Sequence, residues 1–172
     1  MEVAAVRAVG LAALFAFAPL VALADDPPVV EHQPAPCTIA GKATSLCATI
    51  SDDNQIAKAR LYFRRTGEDF YNFVEMVFTG LSYCGTLPAV IEGKAKSLDY
   101  SVQAVDDQYQ PQRTSTFLMN LQAEGVCEFP PIEKDAARAV SIKVYATSKK
   151  QGKKLDDAFN LSGVSFVPVV TK

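Results

Sequence analysis

The stretch that decides the fold reads Ala57-Lys58-Ala59-Arg60-Leu61-Tyr62-Phe63-Arg64, and it alternates apolar and polar side chains with a period of two. One face carries alanine, alanine, leucine and phenylalanine, and the other carries lysine, arginine, tyrosine and arginine. The later stretch 98–104 has the same period, with Leu98, Tyr100 and Val102 on one side. This pattern is typical of strands with one face in a core and one face in water. It predicts an antiparallel all-β protein.

Strand signals recur along most of the chain and are separated by short turn sequences. They fall at about 38–41, 44–50, 57–64, 70–79, 81–87, 97–105 and 113–121. Short strands at this spacing, without a helical period, are typical of a β-sandwich. The apolar faces predict a core made of Leu61, Phe63, Val74, Met76, Phe78, Leu98, Val102, Phe117 and Met119.

The N-terminal part of the chain differs in composition from the strand region. Residues 1–24 carry an apolar run that ends in small residues at Ala22 and Ala24. This predicts a secretory signal peptide cleaved before Asp25, with no membrane span left after cleavage. Residues 25–36 hold four prolines. They are predicted to form an extended linker or an edge segment, because proline cannot donate a hydrogen bond to a β ladder.

The C-terminal part continues the strand pattern beyond the sandwich region at 37–121. Residues 122–172 contain strand-like runs at 139–146 and 163–170. The charged stretch 149–157 between these runs predicts a surface loop. Because this tail is too short for a second domain, we expect a C-terminal β-hairpin extension packed on the sandwich.

Four cysteines point to two disulfides in an exported chain, and three connectivities are possible. The turn residues Gly41 and Lys42 lie midway between the first two cysteines, which would let the flanking segments pair as neighbouring strands. The expected bridges are therefore Cys37–Cys47 and Cys84–Cys127. The one histidine, His32, lies outside any cysteine cluster, so no metal site is expected there.

Several motifs in the strand region occur together in a known class of module. They are Ala59-Arg60-Leu61-Tyr62-Phe63-Arg64-Arg65-Thr66-Gly67, Phe70-Tyr71 with Val74-Glu75-Met76, Tyr83-Cys84-Gly85-Thr86-Leu87-Pro88 and Leu98-Asp99-Tyr100-Ser101-Val102-Gln103-Ala104-Val105-Asp106. Over residues 36–121 the chain resembles the fibronectin type III-like and immunoglobulin-like modules of bacterial secreted proteins. The resemblance implies a sandwich fold and no particular activity, because this architecture hosts many unrelated roles.

At two positions the chain can be compared directly with the modules that it resembles, and it agrees with them at one and departs from antibody domains at the other. Tyr100 stands where a tyrosine corner would bond its hydroxyl to the backbone. Val102 stands where an antibody domain has its second cysteine, and the chain contains no tryptophan. An antibody-like recognition role is therefore not supported.

A sandwich of this kind brings the loop after its second strand and the loop after its sixth strand to the same end. The candidate ligand-binding residues are therefore Asp52, Asp53, Asp106, Asp107 and Tyr109. Their carboxylates suit Ca²⁺, and the tyrosine ring offers a surface on which a sugar could stack. The competing interpretation is that aspartate populates turns because its side chain bonds its own backbone.

The chain offers little catalytic chemistry, and no catalytic residue is predicted. A single histidine in a proline-rich segment argues against Ser-His-Asp and Cys-His arrangements. A net charge of −2 gives no electrostatic reason to expect a nucleic-acid partner. The sequence predicts a periplasmic or secreted, non-catalytic binding or accessory module that contacts a protein partner in the cell envelope. The alternative is a carbohydrate- or Ca²⁺-binding module that uses the acidic loops.

Overall fold

A computed structural model describes residues 25–128, 141–152 and 154–169, so the predicted signal peptide at 1–24 lies outside the described residues. The described strands are β1 (Val29–Glu31), β2 (Cys37–Ile39), β3 (Thr44–Ser51), β4 (Ile56–Arg65), β5 (Asn72–Glu75), β6 (Val77–Phe78), β7 (Tyr83–Leu87), β8 (Ser97–Asp106), β9 (Pro111–Arg113), β10 (Phe117–Gln122), β11 (Ile142–Ala146) and β12 (Val164–Val167). A short 3-10 turn covers Lys149–Gln151. The predicted all-β class is confirmed. No helix within the described ranges is long and apolar enough to cross a membrane.

The strands form two sheets whose inner faces share one core. The smaller sheet has the order β1-β3-β7-β6, and the larger has the order β12-β11-β5-β4-β8-β10-β2, with β9 also paired to β8. The period-two pattern of β4 has the predicted effect, because Leu61 and Phe63 are fully buried while Tyr62 on the other face is half-buried. Most of the predicted core is buried, namely Leu61, Phe63, Val74, Met76, Leu98, Val102 and Met119, with Phe117 half-buried.

The predicted strand at 70–79 is in fact two strands that belong to different sheets. β5 pairs with β4 and β6 pairs with β7, so the chain passes between the sheets at Met76. A Cβ at Gly85 would lie 3.1 Å from Met76 Cγ and 3.2 Å from Val74 Cγ2, and glycine permits this close approach. Beyond the crossing, β6 is a two-residue edge strand. The prediction that Phe78 lies in the core is therefore wrong, since it is 56% exposed.

The N-terminal segment is an edge strand of the smaller sheet, because β1 pairs antiparallel with β3. His32 follows it, and its Nδ1 donates to the carbonyl oxygen of Cys47 at 2.7 Å. Its Nε2 then accepts from the Tyr100 hydroxyl at 2.9 Å, and that hydroxyl accepts the N–H of Ala35 at 2.8 Å. Burial lowers the pKa of His32, which favours the neutral imidazole that this arrangement needs. Tyr100 thus bonds the backbone, at a residue 65 positions upstream.

The disulfides join Cys37 to Cys127 and Cys47 to Cys84, so the predicted pairs Cys37–Cys47 and Cys84–Cys127 are wrong. The turn at Gly41 leads from β2 in the larger sheet to β3 in the smaller sheet, so the strands that flank it do not pair. On the smaller sheet, Cys84 stands directly opposite Cys47, with their Cα atoms 4.1 Å apart. The sheet to which each strand belongs therefore determines the pairing.

The C-terminal extension packs on the larger sheet but is not the predicted hairpin. β11 pairs antiparallel with β5, whereas β12 pairs parallel with β11. The connection between them buries Leu155, Ala158 and Phe159. Phe159 meets Phe63 edge to face, with ring centroids 5.3 Å apart. A parallel pair requires the chain to return to the start of β11. This connection makes that return, and its buried apolar residues anchor it in the core. The stretch 149–157 is thus not only a surface loop.

Candidate functional site

The structure brings the two predicted loops, 51–55 and 106–112, to the same end of the molecule. The backbone N–H of Asp107 donates to the carbonyl oxygen of Gln55 at 3.0 Å. Asp25, from the segment predicted as a linker, also lies there. Its carboxylate accepts hydrogen bonds from Asn54 Nδ2 at 2.5 Å and from Gln110 Nε2 at 3.2 Å. Together these loops and Asp25 form the acidic pole, which consists of Asp25, Asp52, Asp53, Asp106, Asp107 and Tyr109.

Two carboxylates of the acidic pole bond their own turns. Asp52 Oδ1 accepts the N–H of Asn54 at 2.9 Å, and Asp106 Oδ1 accepts the N–H of Gln110 at 2.7 Å. Asp106 is fully buried. The second oxygens, Asp52 Oδ2 and Asp106 Oδ2, are buried without a hydrogen-bond partner in the described structure. In the described ranges, no three His, Cys, Asp or Glu side chains are arranged to hold a metal ion.

Asp53, Asp107 and Tyr109 of the acidic pole face water. Asp107 is exposed, and Tyr109 is 82% exposed with a left-handed φ of 66° at the tip of its loop. Loss of solvation and the neighbouring Asp25 carboxylate raise the pKa of Asp53. The acidic pole therefore combines turn-closing carboxylates with a single exposed ring.

A second cluster lies on the outer face of the larger sheet, where no sequence motif indicated a site. Three rings stand in one row of the strand register, namely Tyr62 on β4, Phe73 on β5 and Tyr145 on β11. The Phe73 and Tyr145 rings stack with centroids 4.9 Å apart and planes 8° apart. The Tyr62 and Phe73 centroids are 5.4 Å apart. Residues directly opposite on neighbouring strands share a face, so the strand pairing assembles this row.

Each ring of the row has a cation beside it. The guanidinium carbon of Arg113 lies 4.2 Å from the Tyr62 centroid, and that of Arg60 lies 4.4 Å from the Phe73 centroid. Lys143 Nζ lies 5.2 Å from the Tyr145 centroid. Cations are attracted to the negative faces of aromatic rings at these distances. The three rings and their cations form the aromatic–cationic face, which consists of Tyr62, Phe73, Tyr145, Arg60, Arg113 and Lys143.

The cations of the aromatic–cationic face form no ion pair with any residue in the described ranges. Arg64, two residues after Tyr62 on β4, differs from these three cations because it is paired. Its Nε donates to Asp99 Oδ2 at 3.0 Å. Arg113 Nε donates to Ser101 Oγ at 2.8 Å. Arg60 Nε is buried and has no acceptor among the described groups. The face thus presents positive charge that no carboxylate of the described chain neutralises.

One sequence signal could have indicated this face. On the water-facing side of the stretch 57–64, Tyr62 lies between Arg60 and Arg64. A strand face that only contacts water does not require an aromatic residue, so this tyrosine could have indicated a binding surface. Phe73 and Tyr145 carry no such signal, because their places in the row depend on which strands pair.

Comparison with known proteins finds few similarities. No protein-family model matches the chain, and no curated protein matches it. Among solved structures, the chain is similar to the SrpA adhesin from Streptococcus sanguinis, with a TM-score of 0.37 and 15% sequence identity. The match covers 59% of this chain, and the chain spans 59% of the adhesin chain.

Proposed function

We propose that the protein is an exported, non-catalytic binding module that contacts a protein partner in the cell envelope through the aromatic–cationic face. The observation that carries this proposal is the row of three rings, each beside a cation that has no ion-pair partner among the described residues. Tyrosine and arginine are enriched at the centres of protein interfaces. Because the rings hold these cations in place, little side-chain entropy would be lost on binding.

The proposed location is the periplasm or the exterior of the cell. Both disulfides support it, since such bonds persist in oxidising compartments and are rare in the cytosol. The apolar run that ends at Ala24 supports export with cleavage before Asp25.

The absence of catalysis is part of the proposal, and three observations support it. His32 is hydrogen-bonded at both ring nitrogens. The four cysteines are all in disulfides. The carboxylates of Asp52 and Asp106 bond the N–H groups of their own turns. The side chains most often used as nucleophile or general base are thus engaged in structure.

The alternative function is a Ca²⁺- or carbohydrate-binding module that uses the acidic pole. It is favoured by Asp52 Oδ2 and Asp106 Oδ2, the two buried carboxylate oxygens without a hydrogen-bond partner in the described structure. For a sugar, Tyr109 would supply the stacking ring. Glycan binding that is abolished by Tyr109→Ala would support the sugar form of this alternative, and calcium titration tests the metal form.

The main proposal is tested by affinity capture from the native envelope and secreted fractions. The double variant Arg60→Gln and Arg113→Gln removes two charges from the face. The matched double variant Lys42→Gln and Lys96→Gln removes two charges from exposed positions elsewhere. We expect one stoichiometric partner that wild type and the lysine variant retain and the arginine variant loses. Retention by the arginine variant, or no stoichiometric partner, would contradict the proposal, with melting curves confirming that each variant folds.

A further inference from the structure

The geometry of the aromatic–cationic face restricts the chemistry that it can bind. The Tyr145 ring stacks on Phe73 at 4.9 Å, and the Arg60 guanidinium lies over the same ring at 4.4 Å. Since both groups cannot occupy one side, both sides of Phe73 are covered. Tyr62 is covered by Arg113 at 4.2 Å. A sugar therefore cannot stack on Phe73, or on the side of Tyr62 that Arg113 covers, without displacing groups of the protein.

The groups of this face that suit an anionic partner are the guanidinium N–H donors of Arg60 and Arg113. A guanidinium has five N–H donors in one plane and no acceptor, so one stacked on a ring keeps its edge free. Arg113 is oriented by its bond to Ser101 Oγ and by a second ring, Tyr71, at 5.2 Å. Arg60 has a buried Nε that finds no acceptor in the part of the chain that the structure describes. Its cross-strand neighbour Glu75 forms no ion pair with any described residue.

The spacing of the two guanidiniums follows from the strand register. Arg60 on β4 and Arg113 on β9 both pair with Gln103, from opposite sides of β8. Two strand spacings therefore separate their backbones, which is roughly 10 Å. Carboxylates two or four residues apart share one face of an extended segment and lie roughly 7 or 13 Å apart, which brackets this separation. Arginine also binds carboxylates through two parallel hydrogen bonds.

The distribution of charge favours a short acidic segment of a protein over a long polyanion. A polyanionic chain needs an extended basic track, whereas this protein has a net charge of −2. The next arginines along β4 are already paired, Arg64 with Asp99 at 3.0 Å and Arg65 with Asp156 at 3.1 Å. The unpaired arginines of this face are thus confined to one short patch, with the exposed Lys58 two residues before Arg60 on β4.

We infer that Arg60 and Arg113 form a double-guanidinium site that binds an aspartate- or glutamate-rich segment of the partner protein. This inference rests on the proposed function and specifies the chemistry of the partner.

The test uses a short fluorescein-labelled peptide with a central run of glutamates between glycine and serine flanks, and a matched peptide with glutamines. We expect the glutamate peptide alone to bind. Its affinity should fall about tenfold or more in Arg60→Gln and in Arg113→Gln, because each removes charge-assisted hydrogen bonds. Lys42→Gln should leave the affinity unchanged. Arg113→Lys should recover only part of it, since an ammonium group cannot bind a carboxylate in the paired geometry.

Several outcomes would overturn the inference. They are equal binding of the two peptides, no binding at millimolar peptide, or equal loss in Lys42→Gln. Binding of polygalacturonate or dextran sulfate without binding of the glutamate peptide would also overturn it, in favour of an anionic polysaccharide. If Arg60→Gln does not fold, Arg113→Gln on the exposed strand β9 carries the test.

The failure of this inference can be distinguished from failure of the proposed function. If the captured partner depends on Arg60 and Arg113 but the glutamate peptide does not bind, the binding function stands and the acidic segment is wrong. If neither the partner nor the peptide depends on these arginines, the binding function fails as well.

Discussion

The acidic pole and the aromatic–cationic face are both clusters of charge, but their charges are bonded in opposite ways. At the pole, Asp52 and Asp106 accept backbone N–H groups of their own turns. On the face, Arg60 and Arg113 lie against rings, and neither forms an ion pair with a carboxylate of the described residues. A carboxylate bonded within its own turn stabilises that turn, whereas a cation held by a ring can still bind a partner. The better candidate surface is therefore identified by the partners that each charged group already has, and less by how many charged groups lie together.

The largest expected effect tests the structural role of the acidic pole. Asp106→Ala leaves the N–H of Gln110 without its acceptor, so we expect the free energy of unfolding to fall by about 1–3 kcal/mol. Asp106→Asn keeps an acceptor oxygen and should lose less. Asp107→Ala, at an exposed position, should change stability by no more than about 0.5 kcal/mol. Urea denaturation measures all three. If an Asp106 variant kept its stability and lost partner binding, the acidic pole would be the binding surface, and the structural role given to Asp106 would be wrong.

The second expected effect concerns pH and depends on His32, the imidazole that bonds Cys47 and Tyr100. The pKa of His32 is lowered by burial from the unfolded value of 6.5. Its contribution to stability is therefore complete above about pH 6.5 and is lost as pH falls through the folded pKa. One group can change the free energy of unfolding by at most about 1.4 kcal/mol per pH unit.

The measurement is the melting temperature of wild type and His32→Gln between neutral pH and about pH 5. We expect a decline in wild type and a shallower decline in the variant. The same decline in both proteins would contradict the role given to His32.

A smaller effect is expected for the contact between Arg60 and Phe73. A double-mutant cycle with Arg60→Met and Phe73→Leu should give a coupling of about 0.5–1 kcal/mol in the free energy of unfolding. A matched cycle between Arg60 and Asp107, which lie in the two different clusters, should give no coupling. Equal couplings in the two cycles would show that the rings do not hold the cations of the face.

The smallest expected effect is that of calcium on the acidic pole. Because Asp52 and Asp106 already bond their turns, we expect no change in melting temperature at millimolar Ca²⁺. A ligand selective for the folded state raises the melting temperature. A rise that disappears in Asp53→Asn would therefore support the alternative function and would weaken the contrast between the two regions.

The strands could be predicted because their signal is local. The period-two pattern around Leu61 and Phe63 depends only on neighbouring residues, and the burial of β4 follows it. The same local reasoning failed at Phe78, where the chain changes sheets at Met76 and the apolar side chain emerges on an edge strand.

The residues of the aromatic–cationic face come together through strand pairing, and a single sequence does not specify which strands pair. Tyr145 reaches Phe73 only because β11 adds to β5. The predicted disulfides failed for the same reason, since Cys37 and Cys47 belong to different sheets. At the acidic pole, the meeting of the two loops could be predicted, but the hydrogen bonds of Asp25 to both loops could not.

The disulfides are nested, and this has a consequence for how the chain matures. The Cys47–Cys84 bridge lies within the span closed by Cys37–Cys127. A chain that enters an oxidising compartment from its N-terminus presents Cys37 and Cys47 first, and these two cysteines do not pair in the fold. A bond between them must be undone by thiol–disulfide exchange before the native bridges can form. The yield of folded protein should therefore depend on a disulfide isomerase as well as on an oxidant.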